Sequence, residues 1–330
     1  MSDAMKLATV LTPPSDENLK LAAQCGVTHI VTRYPGPDLT ALAETQRRFA
    51  DIGLQLAAVE GYLPIEKIKL GMDDGSEVAE LKALIRRMGE LRIPLLCYNF
   101  MAGTDWVRTE LAVPERGGSK VTGFDLATAE RAVSLNHGGV ADKTTTLSSD
   151  ELWRNLTHLL REIVPVAEEC NVVLAMHPDD PPLPSFQGKA RIMNSVENFE
   201  RLVQIVPSRS NAICFCQGTF ATMGVDIPAT IRRLGSHIAY VHFRDVRGTA
   251  EHFVETFHDN GPTDMVAAVR AYREIGFRGP IRADHVPQLE GEDDGEPGYT
   301  TKGRLFAWGY IRALIQATSA SSESYSPHHT

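Results

Sequence analysis

Eight short apolar segments alternate along this chain with eight longer segments in which apolar residues recur every three or four positions. The short segments have the length and the β-branched residues of strands, and the longer ones have the period of amphipathic helices. The strands are predicted at residues 6–11, 28–32, 54–60, 94–100, 171–177, 211–217, 238–244 and 280–285. The helices are predicted at residues 16–25, 39–52, 77–92, 151–170, 195–206, 227–236, 264–275 and about 301–317.

Eight βα units, with no linker or shift in composition between them, predict one closed (β/α)8 barrel of the TIM type. Residues 1–317 would form this barrel, and the Ser-rich residues 318–330 would form a disordered C-terminal tail. The alternative is an open doubly wound sheet. It is disfavoured because no G-x-G-x-x-G pattern follows the first strand.

Two long connections interrupt the alternation. Residues 101–150 separate the fourth predicted strand from its helix, and residues 286–300 separate the eighth strand from the last helix. Loops of this length in a compact domain are usually either functional or disordered. Both follow the C-terminal ends of strands, where the active sites of such barrels lie, so we expect them to border the functional site.

Composition and charge exclude several classes of protein. The chain has 33 basic and 42 acidic residues, a formal net charge of −9, and the two signs are mixed along its length. Nucleic-acid binding would need a cluster of Lys and Arg, so no nucleic-acid partner is expected. No segment approaches the roughly 18 apolar residues of a membrane span, and no signal-peptide pattern is present. Five cysteines, an odd number, fit reduced thiols, so we expect a cytoplasmic protein without a membrane partner.

Potential metal ligands fall at the C-terminal ends of four consecutive predicted strands. They are His177 on strand five, Cys216 on strand six, His242 on strand seven and Asp284 on strand eight. Because strand side chains alternate, the four converge above the barrel core if their faces point inward. Two imidazoles, a thiolate and a carboxylate suit Mn²⁺, Fe²⁺ or Zn²⁺. Each residue alone also has a structural interpretation, as a hydrogen-bonded His, a core Cys or an Asp that caps a loop.

A series of distinctive motifs runs in order through the sequence. The motifs are CYNFMAGTDWVRTEL (97–111), MHPDDPP (176–182), CQGTF (216–220), VHFRD (241–245), TFHD (256–259), TDM (263–265), IRADH (281–285) and PGYTTKGRLFAWGYIRAL (297–314). Together they resemble the mannonate dehydratases, metal-dependent barrel enzymes of hexuronate breakdown. The resemblance extends from about residue 20 to residue 315.

The resemblance implies a (β/α)8 fold and a Mn²⁺-type ion bound by the same four residues that the strand positions select. It also implies syn elimination of water from D-mannonate to give 2-keto-3-deoxygluconate. His285 and Tyr299 match the family residues that transfer protons. We therefore expect a lyase of the hydro-lyase class, and the family also implies a homo-oligomer, a dimer or larger.

The expected chemistry explains why such residues are needed. Dehydration removes a weakly acidic C2 proton beside a carboxylate and expels the C3 hydroxyl, so negative charge that develops on the substrate must be stabilised. A divalent ion bound to the carboxylate and the C2 hydroxyl would act as a Lewis acid. His285 and Tyr299 would transfer the protons, in either order. A phenol has a pKa of about 10, so Tyr299 needs activation by the ion, Arg304 or Lys302 to act as a base. Otherwise it is a packing residue of the loop.

Other polar groups near strand ends are predicted to bind the substrate. They are Asn99 after strand four, Arg244 after strand seven, and Trp106 and Arg108 in the loop after strand four. An Arg guanidinium can bond both oxygens of a carboxylate. The pair Asp179–Asp180 either supports the metal ligands or only shapes the turn that presents His177.

The chain departs from the family pattern at two places. Where the family usually has a His pair after strand two, this chain has Arg33 and Tyr34. In the FHDNGPTDM segment, Asp259 replaces the usual Glu and a further His is missing. Changes in a polar pocket alter specificity, so these two departures can redirect the enzyme to a different sugar acid.

Three other functions are compatible with parts of the sequence. A related isomerase or epimerase would also need a metal and an acid–base pair, but it would release no water. A zinc phosphodiesterase would need more His and carboxylate ligands and a basic groove, which the negative charge disfavours. A non-catalytic sugar-acid binding protein would not need both His285 and Tyr299.

Overall fold

The computed structural model describes residues 5–103, 106–134 and 145–319 of the chain. Eight parallel strands form a closed barrel, in which each strand pairs with its neighbours in sequence and the first also pairs with the last. They are β1 (Lys6–Val10), β2 (His29–Thr32), β3 (Gln55–Glu60), β4 (Leu95–Tyr98), β5 (Val173–Met176), β6 (Asn211–Cys216), β7 (Ile238–Phe243) and β8 (Pro280–Ala283). The predicted (β/α)8 fold is confirmed, and the open doubly wound alternative is excluded.

Eight helices follow these strands. They are α1 (Asp16–Gln24), α2 (Thr40–Ala50), α3 (Ser76–Leu91), α4 (Ser149–Cys170), α5 (Val196–Ile205), α6 (Ile227–Leu234), α7 (Met265–Glu274) and α8 (Thr301–Ala317). Their starts follow the expected capping chemistry, because Ser148 forms a capping box with Glu151 and the Ser195 side chain accepts a hydrogen bond from the Asn198 amide. Predicted strand and helix ends differ from the observed ones by at most about two residues, the usual uncertainty of boundaries.

The hydrophobic core has two layers. The larger layer fills the space between the strands and the surrounding helices. The smaller layer lies inside the barrel and includes Ala175, Cys214, Tyr240 and Cys97, with Tyr299 closing it at the top. Ala175, Cys214 and Tyr240 therefore point inward, as strand alternation predicted from the positions of the candidate ligands.

A second, smaller sheet lies outside the barrel and was not predicted. Its four antiparallel strands pair in the order Val246–Gly248, His252–Glu255, Lys120–Asp125 and Glu110–Pro114. We call it the outer sheet. It joins the long loop after β4 to the loop after β7, and it brings Glu255 close to the mouth of the barrel.

The remaining short elements complete the loops. Two-stranded sheets pair Val107–Arg108 with Val133–Ser134 and Ser185–Phe186 with Lys189–Ala190. Short helices lie at Glu66–Lys69 and Gln217–Thr222, and 3₁₀ turns at Arg116–Gly118, Leu126–Arg131 and Gly235–His237.

The predicted C-terminal tail lies, from residue 320 onward, outside the described residues. None of the helices in the described part of the chain combines the length and the apolar character needed to cross a membrane.

Candidate metal centre and active site

Four buried side chains meet at the C-terminal mouth of the barrel. His177 follows β5, Cys216 ends β6, His242 lies in β7 and Asp284 follows β8. One ligand atom from each of the four lies within 4.8 Å of those of the other three. Cys216 Sγ is 3.6 Å from Asp284 Oδ2, and the two imidazole centroids are 4.9 Å apart. The structure therefore brings together all four residues that the sequence selected as ligands.

The donor atoms of this set fit a divalent ion. His177 Nδ1 lies 2.7 Å from the carbonyl oxygen of Pro178, a contact that leaves its other ring nitrogen available as a ligand. His242 Nε2 is buried and forms no hydrogen bond among the described residues. Nitrogen, sulfur and carboxylate oxygen in one closed, buried group are typical of sites for transition ions.

The surrounding charges keep the two acidic members of the set ionised. Burial raises the pKa of the Cys216 thiol, but Arg244 and His177 outweigh it and hold that pKa well below its ordinary value. Burial also raises the pKa of Asp284, and nearby cationic groups again hold it well below its usual range. Metal ligands must be deprotonated, so both groups are in the form that an ion requires.

A buried ionic network below the four residues was missed by the sequence analysis. Arg282 Nη2 donates to Glu60 Oε1 at 2.6 Å, and Arg282 Nη1 donates to Asp284 Oδ1 at 3.0 Å. The Tyr240 hydroxyl donates to Glu60 Oε2 at 2.8 Å. A charged residue at the end of an otherwise apolar strand, as in LQLAAVE, is the signal that could have identified Glu60.

His285 is held by a carboxylate that was also missed. Its Nδ1 lies 2.9 Å from Glu255 Oε1 in the outer sheet. Arg108 Nη2 donates to the same carboxylate oxygen at 2.8 Å and lies 3.3 Å from His285 Nδ1. Glu255 lies far from His285 in the sequence, in a segment without a recognisable strand pattern, so no local signal indicates this pairing.

Tyr299 packs its ring against His285, with 5.3 Å between the ring centroids. Burial raises the pKa of Tyr299 above its ordinary value. Arg304 lies 5.1 Å from the Tyr299 ring centroid, and its Nε donates to the Tyr299 carbonyl oxygen at 3.4 Å. Lys302 is exposed and donates to the Glu290 carbonyl oxygen, so Arg304 is the one of the two candidate activators that contacts Tyr299.

Two of the predicted substrate residues, Asn99 and Trp106, line a cavity of about 130 Å³ beside the four-residue set. Glu60, Tyr62 and Lys69 also line it. Asn99 Oδ1 accepts hydrogen bonds from Lys69 Nζ and from the Met101 amide, both at 3.1 Å. The ring of Trp106 lies 5.7 Å from that of His177, which connects this cavity to the candidate ligands.

The other two predicted substrate residues, Arg108 and Arg244, are fully buried between carboxylates. Arg108 forms a bidentate pair with Asp180, at 2.9 and 3.0 Å. Arg244 donates to Asp180 at 2.7 Å and to Glu255 at 2.6 Å, and its Nε lies 2.7 Å from Asp284 Oδ2. Gly218 allows this approach, because a Cβ there would lie 2.9 Å from the Arg244 side chain. Asp180 therefore anchors both guanidinium groups, and a direct role for them with substrate stays a prediction.

One of the positions that depart from the family pattern faces the site. Arg33 lies 5.4 Å from the Tyr62 ring centroid and 6.0 Å from that of Tyr299, and its Nη1 is 3.4 Å from Glu60 Oε1. Tyr34 instead donates to Glu80 in α3. Asp259 pairs with Arg116 beside the outer sheet, at 3.0 Å. Arg33 is therefore the departure with direct access to the candidate site.

Comparison with known proteins gives consistent matches. The family model described as D-mannonate dehydratase (UxuA) matches residues 14–325. The chain is 34% identical over 295 residues to a mannonate dehydratase from Oceanobacillus iheyensis, covering 83% of this chain and 84% of that protein. It is 33% identical over 323 residues to a mannonate dehydratase from Thermotoga neapolitana, covering 88% of each chain.

Solved structures agree. The mannonate dehydratase from Streptococcus suis serotype 2 superposes with a TM-score of 0.87 at 28% identity, covering 99% of both chains. An L-ribulose 3-epimerase, with a TM-score of 0.64 at 14% identity over 99% of both chains, shares the barrel fold. On the family match along nearly the whole chain, the protein belongs to the D-mannonate dehydratase family.

Proposed function

We propose that this protein is a metal-dependent hydro-lyase that converts D-mannonate to 2-keto-3-deoxy-D-gluconate and water. The observation that carries the proposal is the position of His285 and Tyr299 directly beside four buried donor atoms that fit one divalent ion. A group of metal-binding residues alone would suit many reactions. A histidine and a phenol in contact with each other beside it supply the base and the acid that a dehydration needs.

We propose Mn²⁺, or Fe²⁺, as the ion held by His177, Cys216, His242 and Asp284. When bound, it would act as a Lewis acid that stabilises the negative charge developing on the sugar acid. Arg244 and Arg282 each contact the Asp284 carboxylate, so they fix its orientation from two sides.

We assign the base to His285. The contact between its Nδ1 and the Glu255 carboxylate favours the Nδ1–H tautomer, and in that tautomer Nε2 is the nitrogen that accepts the C2 proton. The carboxylate also stabilises the imidazolium that forms, as the Asp of a Ser-His-Asp triad does. Arg108 and Arg244 hold Glu255 in place.

We assign the acid to Tyr299. Because its pKa is raised, the phenol keeps its proton at neutral pH and can donate it to the departing C3 hydroxyl. Its contact with His285 supports an acid and a base that act on the same side of the substrate, as a syn elimination requires. The cavity lined by Asn99, Lys69 and Trp106 offers polar groups and an aromatic wall for the hydroxylated end of the sugar acid.

A panel of aldonic acids tests the function. The Mn²⁺-loaded protein is incubated with D-mannonate, its C2 epimer D-gluconate and other aldonic acids, and the 2-keto-3-deoxy acid is assayed. We expect product from D-mannonate and little from D-gluconate, whose C2 proton lies on the other face. Epimerised or isomerised sugar acid without loss of water would instead favour the isomerase or epimerase alternative, and binding without turnover would favour a binding protein.

We also propose that the protein works in the cytoplasm as a homodimer. The free state of all five cysteines supports the cytoplasmic location, because a reducing compartment keeps thiols reduced. Cys216 also has to stay a thiolate to serve as a ligand. Membership of the family supports the assembly. Light scattering on the purified protein measures the mass and tests it.

A further inference from the structure

A second group of soft ligands lies inside the barrel. Sγ atoms of Cys97 and Cys214 and a ring nitrogen of His242 all lie within 4.8 Å of one another, and all three residues are buried. Cys214 precedes Cys216 by two residues in β6, so it points inward one layer below the four-residue set. We call Cys97, Cys214 and His242 the lower set.

The strand topology rules out a disulfide as the purpose of the two thiols. Cys97 is in β4 and Cys214 is in β6, with β5 between them. Strands two apart lie about 9–10 Å from each other, whereas the Cα atoms of a disulfide lie within about 7 Å. The sulfur atoms approach each other because Ala175, the β5 residue that pairs with Cys97, has a small side chain. The arrangement holds two sulfurs near each other without allowing them to bond.

The spacing does suit a bridging metal ion. Two zinc–sulfur bonds of about 2.3 Å can join sulfur atoms up to about 4.6 Å apart, and the two Sγ atoms here lie no more than 4.8 Å apart. The imidazole of His242 supplies a third ligand, and its Nε2, although 3.3 Å from Glu60 Oε2, forms no hydrogen bond among the described residues. Two thiolates and an imidazole favour Zn²⁺ or Cd²⁺, whereas Mn²⁺ prefers harder ligands.

We propose that the lower set of Cys97, Cys214 and His242 is a second metal site, selective for thiophilic ions of the Zn²⁺ class. It goes beyond the proposed dehydratase reaction, but it is coupled to that reaction through the shared His242. His242 also belongs to the four-residue set at the mouth of the barrel, so an ion in the lower set competes with the ion of the four-residue set for this ligand. Zn²⁺ would then weaken Mn²⁺ binding through a site distinct from the one that Mn²⁺ occupies.

Cadmium titration of the Mn²⁺-saturated protein tests the proposal. Cd²⁺ binding is followed by the thiolate-to-metal charge-transfer absorption and by elemental analysis of the protein after gel filtration. We expect wild-type protein to bind Cd²⁺ with the absorption of two thiolates. Cys97→Ala and Cys214→Ala should each weaken this binding at least about tenfold.

Matched controls come from the other free thiols. Cys25→Ala and Cys170→Ala remove half-buried thiols at the C-terminal ends of α1 and α4, and both should bind Cd²⁺ as wild type does. The proposal would be overturned if Cys97→Ala and Cys214→Ala bound Cd²⁺ as wild type does and Cys216→Ala lost Cd²⁺ binding. The ion would then occupy the four-residue set.

A measurement on wild-type protein covers the case in which the alanine variants do not fold. X-ray absorption at the cadmium edge, with one equivalent of Cd²⁺ added to Mn²⁺-saturated protein, counts the sulfur ligands directly. Two sulfur atoms are expected. One sulfur atom, or none, would contradict the lower site whatever the behaviour of the variants.

Discussion

At the scale of single residues, the site is organised by buried charge pairs. Asp284 lies between Arg244 and Arg282, and Glu255 lies between Arg108 and Arg244. Buried charges without partners cost several kcal/mol, whereas well-bonded pairs are tolerated. The arginines thus keep the carboxylates ionised and fixed before any ligand binds. Because each carboxylate is fixed by two arginines, the roles of individual side chains can be tested one substitution at a time.

The proposed role of Cys216 as a thiolate ligand can be tested by removing its side chain. Cys216→Ala deletes one donor of the four while leaving the barrel core in place, so bound Mn²⁺ should fall from about one per chain to a small fraction of that. Elemental analysis after dialysis measures the bound metal, and circular dichroism checks the fold. Cys170→Ala is the control and should keep its metal. Retention of Mn²⁺ in the Cys216 variant would remove this residue from the ligand set.

The acid and the base can be separated by isotope exchange. Tyr299→Phe removes the proposed acid, so it should lose about 10²- to 10⁴-fold in dehydration yet still exchange the C2 proton of D-mannonate with deuterated water. His285→Asn should lose both reactions, because it removes the base. NMR of recovered substrate measures the exchange. Exchange that persists in His285→Asn and vanishes in Tyr299→Phe would reverse the two assignments.

At the scale of elements, the outer sheet positions His285, the proposed base. Strand His252–Glu255 pairs with Lys120–Asp125, so two loops from β4 and β7 cooperate to place Glu255 against His285. These strands are short, their pairing joins distant segments, and half of the sheet lies in a loop rich in Gly and Ser. Hydrophobic periodicity carries little information in such segments. For this reason the sequence predicted the barrel strands but neither the outer sheet nor Glu255.

The function of this sheet predicts the effect of Glu255→Gln. The amide keeps the size of the side chain but cannot stabilise the imidazolium of His285, so kcat should fall at least about tenfold while bound Mn²⁺ stays unchanged. Steady-state kinetics and elemental analysis measure the two. Glu115→Gln, which alters an ion pair with Arg247 at the edge of the same sheet, is the matched control. Equal effects of the two variants would mean that Glu255 acts only through the stability of the sheet.

The opposite end of the barrel should respond to acid. Burial, with Lys6 nearby, lowers the pKa of His29 at the start of β2 to about 4, from 6.5. Between these values the unfolded chain binds a proton that the folded chain does not, so stability falls as the pH falls. Between pH 6.5 and pH 4, the melting temperature of His29→Asn should therefore decrease less steeply than that of wild type. His237 is exposed, so the control His237→Asn should follow the wild-type slope. Equal slopes in wild type and His29→Asn would contradict the burial effect.

At the scale of the whole molecule, the sequence was informative where the physics is local and periodic. Strand alternation and the βα repeat determined the barrel, and the strand ends then located His177, Cys216, His242 and Asp284 together. The places of Glu60 and Glu255 in the site depend on contacts between segments far apart in the chain, and no local sequence pattern encodes such contacts. The resemblance of motifs supplied His285 and Tyr299, whose positions on loops periodicity could not predict.

We propose above that one ion, bound by the four-residue set, makes the barrel a D-mannonate dehydratase. The most direct measurement is the rate of 2-keto-3-deoxy-D-gluconate formation from D-mannonate as Mn²⁺ is added back to chelator-treated protein, with bound metal counted in the same samples. We predict that the rate rises in proportion to bound Mn²⁺ and levels off near one ion per chain. Full activity in the metal-free protein, or no product at one Mn²⁺ per chain, would rule out this metal-dependent reaction.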